Sequence, residues 1–429
     1  MPKKRTTRLH RLPTRKSPKS LTPHLSDRWG DFFCYTPCMS RHLAEYLRVP
    51  LEFTSGDGCF LIDAKGKRYL DFIGGWCVAT VGWKNAEMAD AISRQARVGV
   101  YVPPVLSYPK QEAFAARLAE LVPGKLTRAF RCTSGSEAVE FALKCARAAT
   151  GKPTIVTIDG VYHGHTYGAA SLGDACGKSM APCATGFIKL PMPMTVKEGK
   201  DVALQFERLI VKRGDIAAFM SEPVWTNAGC FIPPKGFYEE IQRICRRHGV
   251  LLAMDEVATG FGRCGRLFAS ELWGLKPDIL CMGKAFTGGY ASMGATLVTE
   301  SVYRGSSSIP DYSTFGWMPQ DLAATAKNVE IILRERLYEN ADKVGAAMLE
   351  ELKPLEKLIK TKAVRGIGLL FGIEFHLPIA ALIAFNCYRK GLLVTVADAS
   401  TLFFSPPLVL NKKLAKQGVK IIREACGGK

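Results

Sequence analysis

The sequence predicts an α/β fold with a mostly parallel sheet covered by helices, and three observations predict it. Short apolar runs of strand length alternate with segments of helical periodicity between residues 85 and 320. Several of those runs are apolar throughout, as strands buried on both faces are. The chain has 429 residues, too many for one small core, so a large domain and at least one smaller one are expected.

The elements follow in chain order. "LEFTSGDGCFLIDAKGKRYLDFIGG" reads as antiparallel strands with turns at Gly56-Asp57-Gly58 and Lys65-Gly66. "AEMADAISRQA" and "KQEAFAARLAELV" have the helical period. The alternation then runs through strand 128–132, helix 136–149, strand 154–159, helix 201–213, strand 216–223 and helix 236–248. Strands at 250–256, 278–284 and 294–299 complete it. One long amphipathic helix is expected at 321–352, followed by an α+β tail containing "AVRGIGLLFGIEF" and "LFFSPPLVL". The expected division is a disordered basic arm at 1–26 and the N-terminal part of a small domain at 27–84. A large domain at 85–320 follows, then the connecting helix and the rest of the small domain at 321–429.

Composition narrows the class. Apolar residues make up 47%, but no uninterrupted stretch is long enough to span a bilayer, so no membrane partner is expected. Fourteen cysteines without a paired framework read as reduced thiols in a cytoplasmic protein. Cys34 and Cys38 lack a second pair, and His163 and His165 have no acidic or cysteine partner at metal spacing, so no metal site is expected. The net charge is +19, and the first twenty residues carry eight Lys/Arg and no acid. That arm reads as a solvated tail, with a transit peptide or a nucleic-acid contact left open.

Ligands of open α/β sheets gather at the carboxyl ends of the strands. Three features fall there. Asp255 ends the run "LLAMD". "TSGSEA" (133–138) stands where a strand stops and a helix starts, which makes an anion site. Lys284 follows Gly283 after "DILCM". Taken singly, each has an ordinary explanation: a helix cap, a capping aspartate, a solvated lysine. A nucleotide loop is excluded, because Gly173 to Ser179 is one residue short and no GxGxxG follows a strand. Taken together, the three suit pyridoxal 5′-phosphate (PLP). Its phosphate needs N–H donors, its ring nitrogen needs a carboxylate to stay protonated, and its aldehyde needs an amine.

The motifs also fall in a familiar order. "TSGSEAVEFALKCAR", "DGVYHGHTYGA", "SEPV", "HGVLLAMDEVATGFGRCGRLFA", "KPDILCMGKAFTGGY", "STFG", "AVRGIGLLFGIEF" and "PPL" resemble those of the class III (ω-amino) aminotransferases, from about residue 50 to 425. The resemblance implies fold type I, a large PLP-binding domain with a small α+β domain from both chain ends. It implies that Gly135 and Ser136 hold the phosphate and that Tyr162 and Val257 cover the two ring faces. It implies that Asp255 pairs with the ring nitrogen and that Lys284 bonds the cofactor and shuttles the proton. Glu222 would lie on the substrate side. Thr314, in "STFG", would reach the phosphate of a neighbouring protomer, which implies a homodimer or a dimer of dimers with shared sites.

Some positions depart from the pattern. Many members carry an arginine three residues before the "PPL" prolines to grip a carboxylate. Here that residue is Phe403, and "LLVTVADAS" has no arginine either. Ala258 stands where many members have Gln. "GGWCVATVGW" resembles a segment of the amine and ω-amino acid:pyruvate subgroup, which puts Trp76 in the substrate pocket, with a plain core aromatic as the other reading. Arg263 and Arg389 are the candidates to hold an acceptor's carboxylate. The expected reaction moves an amino group from a small-molecule primary amine or ω-amino acid to a keto acid such as pyruvate. A same-fold aminomutase, racemase, epimerase or decarboxylase is the alternative. A nucleic-acid-binding protein has only the basic arm and the net charge behind it.

Overall fold

A computed structural model describes residues 51–176 and 180–427. The basic arm, Cys34 and Cys38 lie outside the described residues. At the centre is a seven-stranded sheet. Its order is Leu126–Cys132, Gly294–Thr299, Ile279–Met282, Leu251–Asp255, Ile216–Ser221, Thr154–Ile158 and Phe187–Leu190. Gly294–Thr299 runs antiparallel to both its neighbours, and the remaining pairs are parallel. Ile216–Ser221 and Thr154–Ile158 are buried at every position, which is why their sequences lack alternation. The edge strand Phe187–Leu190 was not anticipated: it is short, and Lys189 breaks its apolar run.

Register positions the chemistry. Asp255 lies opposite Cys281, so the strand holding Asp255 and the strand leading to Lys284 leave the sheet along the same edge. The helix Gly135–Thr150 starts on that edge, after Leu126–Cys132. Ser134 caps it by accepting the Glu137 N–H at 3.2 Å. The helix buries Ala138, Phe141, Ala142 and Cys145.

The expected helix over 321–352 is two helices, Pro319–Arg334 and Leu337–Leu352. Arg336 between them is left-handed, with φ +51°, and breaks the ladder. No glycine or proline marks this break. It lets the second helix bury a stripe of its own, Leu337, Ala341, Val344 and Met348.

The first described strands meet a strand from late in the chain. Leu392–Leu393 pairs parallel with Arg68–Asp71 and completes a four-stranded sheet begun by the N-terminal hairpin. A second four-stranded sheet, all antiparallel, runs Thr361–Ile367, Leu370–Phe375, Thr401–Phe404, Thr395–Asp398. Among the described residues ten cysteines are free and buried, but Cys176 and Cys183 form a disulfide, which corrects the expectation that every thiol is reduced. Among the described residues no helix is long and apolar enough to cross a membrane, and no cluster of His, Cys, Asp and Glu could hold a metal ion.

Candidate active site

Three segments distant in sequence meet at two glycines. A Cβ on Gly135 would stand 2.6 Å from Cγ1 of Val257, and a Cβ on Gly283 would stand 3.1 Å from the N and Cα of Gly135. Only glycine lets the helix start, the residue after the Asp255 strand and the Lys284 turn approach this closely. The Gly135 and Ser136 amides at the helix start have no carbonyl one turn back to bond, whereas the Glu137 N–H is taken by Ser134, so the first two form a cradle of donors open to an anion. Ser136 Oγ accepts the His165 N–H at 3.2 Å. Glu137 accepts the Thr133 N–H at 2.6 Å and the Ser313 hydroxyl at 3.0 Å, which brings the "STFG" loop beside the cradle.

Asp255 is buried. Its Oδ1 accepts the Val257 N–H at 3.0 Å, and its Oδ2 lies 2.7 Å from Nδ1 of His163. A carboxylate can only accept, so Nδ1 carries the proton. The other ring nitrogen of His163 lies 3.4 Å from Oγ1 of Thr157. In the sequence His163 has no acidic partner at metal spacing. The pairing depends on sheet order, which sets the end of Thr154–Ile158 two strands from Asp255.

Glu222 follows Ile216–Ser221 and is also buried. It accepts a short hydrogen bond from the Thr226 hydroxyl and a long one, 3.5 Å, from the Tyr162 N–H. Burial, and secondly the charge of Asp255, push its carboxyl up to about 7. Lys284 is left-handed, φ +46°, a strained state for a residue with a Cβ. Its Nζ is 6.0 Å from the centroid of the Tyr162 ring.

Lys284 and Tyr162 open into a cavity of about 870 Å³ whose walls include Trp76, Phe403, Thr226 and Ala258. Trp76 is 36% exposed and stacks on buried Phe403, with centroids 5.7 Å apart and planes 23° from parallel. Trp76 thus lines the cavity and is not fully buried. Its loop is held from two sides. Asp71 accepts the Ile73 and Gly74 N–H groups, each at 2.9 Å, and the Trp83 indole N–H at 2.8 Å. Ser405 donates to the Ile73 carbonyl at 2.8 Å and accepts the Cys77 N–H at 3.1 Å. These bonds fix Trp76 and Cys77 in left-handed backbone, φ +59° and +67°.

Neither candidate arginine lies in the cavity. Arg263 is fully buried and donates to the Ala79 carbonyl at 2.9 Å, the Leu369 carbonyl at 3.2 Å and the Pro406 carbonyl. Arg389 is exposed and lines a separate crevice with Asn386 and Lys390. Thr314 is exposed, next to Ser313.

A family model described as aminotransferase class-III matches residues 43–426. The chain belongs to the class III aminotransferases. Solved transaminases share its fold. An amine transaminase from an uncultivated Pseudomonas species is 30% identical, with 92% of this chain and 98% of that one covered and a TM-score of 0.84. An (S)-enantioselective ω-transaminase from Thermomicrobium roseum is 30% identical, covering 90% and 96%, with a TM-score of 0.84. A transaminase from the marine bacterium Virgibacillus is 26% identical, covering 90% and 96%, with the same TM-score of 0.84.

Class III aminotransferases depend on PLP. The residues present suit that group. The cradle at Gly135 and Ser136 offers N–H donors to a phosphate, Asp255 supplies a buried carboxylate, and Lys284 brings an amine to the mouth of the cavity.

Proposed function

We propose that this class III aminotransferase takes the amino group of a primary amine or ω-amino acid and passes it to a keto acid such as pyruvate. The observation that carries the site assignment is the meeting of Gly135, Val257 and Gly283, which brings cradle, carboxylate strand and lysine to one point. When bound, PLP supplies the carbon that accepts the amino group and a ring that draws electrons from the reacting bond. In this reading the amides of Gly135 and Ser136 hold its phosphate. Asp255, with His163 behind it, presents the negative charge that keeps the ring nitrogen protonated. Tyr162 and Val257 bracket the ring. Lys284 Nζ bonds the cofactor and, once released, carries the proton away from the donor carbon. Glu222 holds Thr226 and the Tyr162 backbone on the substrate side. Trp76 and Phe403 pack the donor's apolar part.

A dimer is proposed on the surface beside the cradle. Tyr312 and Phe315, on either side of Ser313 and Thr314, are 63% and 60% exposed, and Tyr101 touches Phe315 edge-on. Val98, Val105 and Leu106, in the segment around Tyr101, are exposed too. Thr314 would then serve a second copy's phosphate. A cytoplasmic setting is proposed from the ten buried free thiols, with the Cys176–Cys183 pair standing against it.

The experiment is a panel of amine donors with pyruvate and 2-oxoglutarate, read by the cofactor's absorbance. A donor alone should convert the cofactor to a stable amino form, and the keto acid should restore it. Complete turnover of one substrate with no second one would instead identify an aminomutase, a racemase or a decarboxylase.

A further inference from the structure

The chain is basic, with 58 Lys and Arg against 39 Asp and Glu, yet the described residues that line its cavity carry more acid than base. Asp159, Asp174 and Asp398 line it, and Lys284 is the sole Lys or Arg among the described residues that do. Asp159 follows the strand Thr154–Ile158. Asp174 lies 4.0 Å from Lys189 and is partly neutralised by it. Asp398 is held in place by the Ser400 N–H at 2.7 Å and the Thr401 hydroxyl at 3.1 Å. Two arginines make their bonds to other groups, although Nη2 of Arg365 and Nε of Arg263 have no hydrogen-bond partner. Arg263 faces backbone carbonyls, and Arg365 bonds Glu374 at 2.7 Å and the Gly229 carbonyl at 3.1 Å.

The cavity therefore has three parts in one space. Lys284 marks the reacting end, the Trp76–Phe403 stack supplies an aromatic wall, and carboxylates enter from two sides, Asp398 on the strand paired with that of Phe403 and Asp159 and Asp174 beyond Thr154–Ile158. Resting on the aminotransferase reading above, we propose that the preferred donors are amines with a second cationic group, α,ω-diamines above all, and that Asp398 selects them. The reacting amine would meet Lys284, the methylene chain would lie on the aromatic stack, and the distal ammonium would face the acids. Aromatic faces also attract an ammonium, so both walls favour the same charge. A donor with a distal carboxylate would meet like charges, and like-charge juxtaposition is a strong discriminator.

The test uses the PLP-loaded enzyme with pyruvate and three donors of matched length: putrescine, butylamine and γ-aminobutyrate. Putrescine should exceed both others in kcat/KM by about tenfold or more, mainly through KM, and added salt should narrow the gap. Asp398→Asn keeps an oxygen for the Ser400 N–H and removes the charge. Its putrescine-to-butylamine ratio should fall toward one. Asp159→Asn, on a different strand end, should lower the ratio in the same direction and serves if the first variant fails to fold. Butylamine or γ-aminobutyrate equal to putrescine in the wild type overturns the proposal, as does an unchanged ratio in the variants. If butylamine converts the cofactor with no preference for the diamine, only this inference falls. If no donor converts it, the aminotransferase reading falls.

Discussion

Nδ1 of His163 and Oδ2 of Asp255 are 2.7 Å apart, both buried, across 92 residues of sequence. The histidine fixes one carboxylate oxygen while the Val257 N–H fixes the other. In the proposed reading His163 is thus a positioning residue, acting on the cofactor through Asp255. His163→Phe would leave a buried carboxylate short of a donor, a loss of about 1.5–3 kcal/mol for a hydrogen bond to a charged group. The expected result is a fall in the rate of the first half-reaction of about 10- to 100-fold with a smaller change in KM. His163→Gln, which keeps an N–H donor, should recover part of it. Stopped-flow absorbance of the cofactor measures both. A rate within twofold of wild type in His163→Phe would remove this role.

Lys284→Ala should abolish turnover while the protein still takes up PLP, because the cradle and Asp255 remain. Borohydride reduction followed by mass spectrometry should find the cofactor fixed at Lys284 in the wild type and at no lysine in the variant. Fixation at another residue would refute the assignment.

Glu222 predicts a pH effect of defined sign. Its folded-state pKa, about 7, lies above the ordinary carboxylate value, so the folded protein holds a proton that the unfolded chain has released. That contribution is complete at low pH and is lost as pH rises to about 7. Glu222→Gln resembles the protonated form. Denaturant titrations should show the variant gaining on the wild type through this window, to a difference on the order of 3 kcal/mol above it. A constant difference from pH about 5 to 8 would mean that Glu222 does not titrate there.

Phe403→Arg places a guanidinium beside Trp76 in a cavity that has none among the described residues. Donors bearing an α-carboxylate should gain about tenfold or more in kcat/KM over matched amines without one. The comparison is L-alanine against ethylamine with 2-oxoglutarate as acceptor. An unchanged ratio would show that Phe403 does not set the pocket's polarity.

Much of this was legible in the sequence, for a local reason. Asp255 and Lys284 sit where an apolar strand stops, and Gly135 and Ser136 where a strand gives way to a helix, and such ends show in the chain itself. What sequence reading missed needed the third dimension. His163 finds Asp255 only through the order of the strands. Arg263 belongs to a residue type that is mostly exposed, yet it spends its donors on buried backbone carbonyls. The break at Arg336 has neither glycine nor proline to announce it. The Cys176–Cys183 pair has no accompanying framework to suggest it.

Ser405 ties the loop carrying Trp76 to the strand carrying Phe403, and Leu392–Leu393 completes the sheet begun at Phe53. This has a consequence for biosynthesis. Every strand of the central sheet has been translated once Thr299 is made, so cradle, carboxylate and lysine can come together early. The Trp76 loop must wait roughly a hundred residues longer for its latch and its stacking partner. In the proposed reading, a nascent chain would hold its own share of the cofactor seat before it has a choice of substrate.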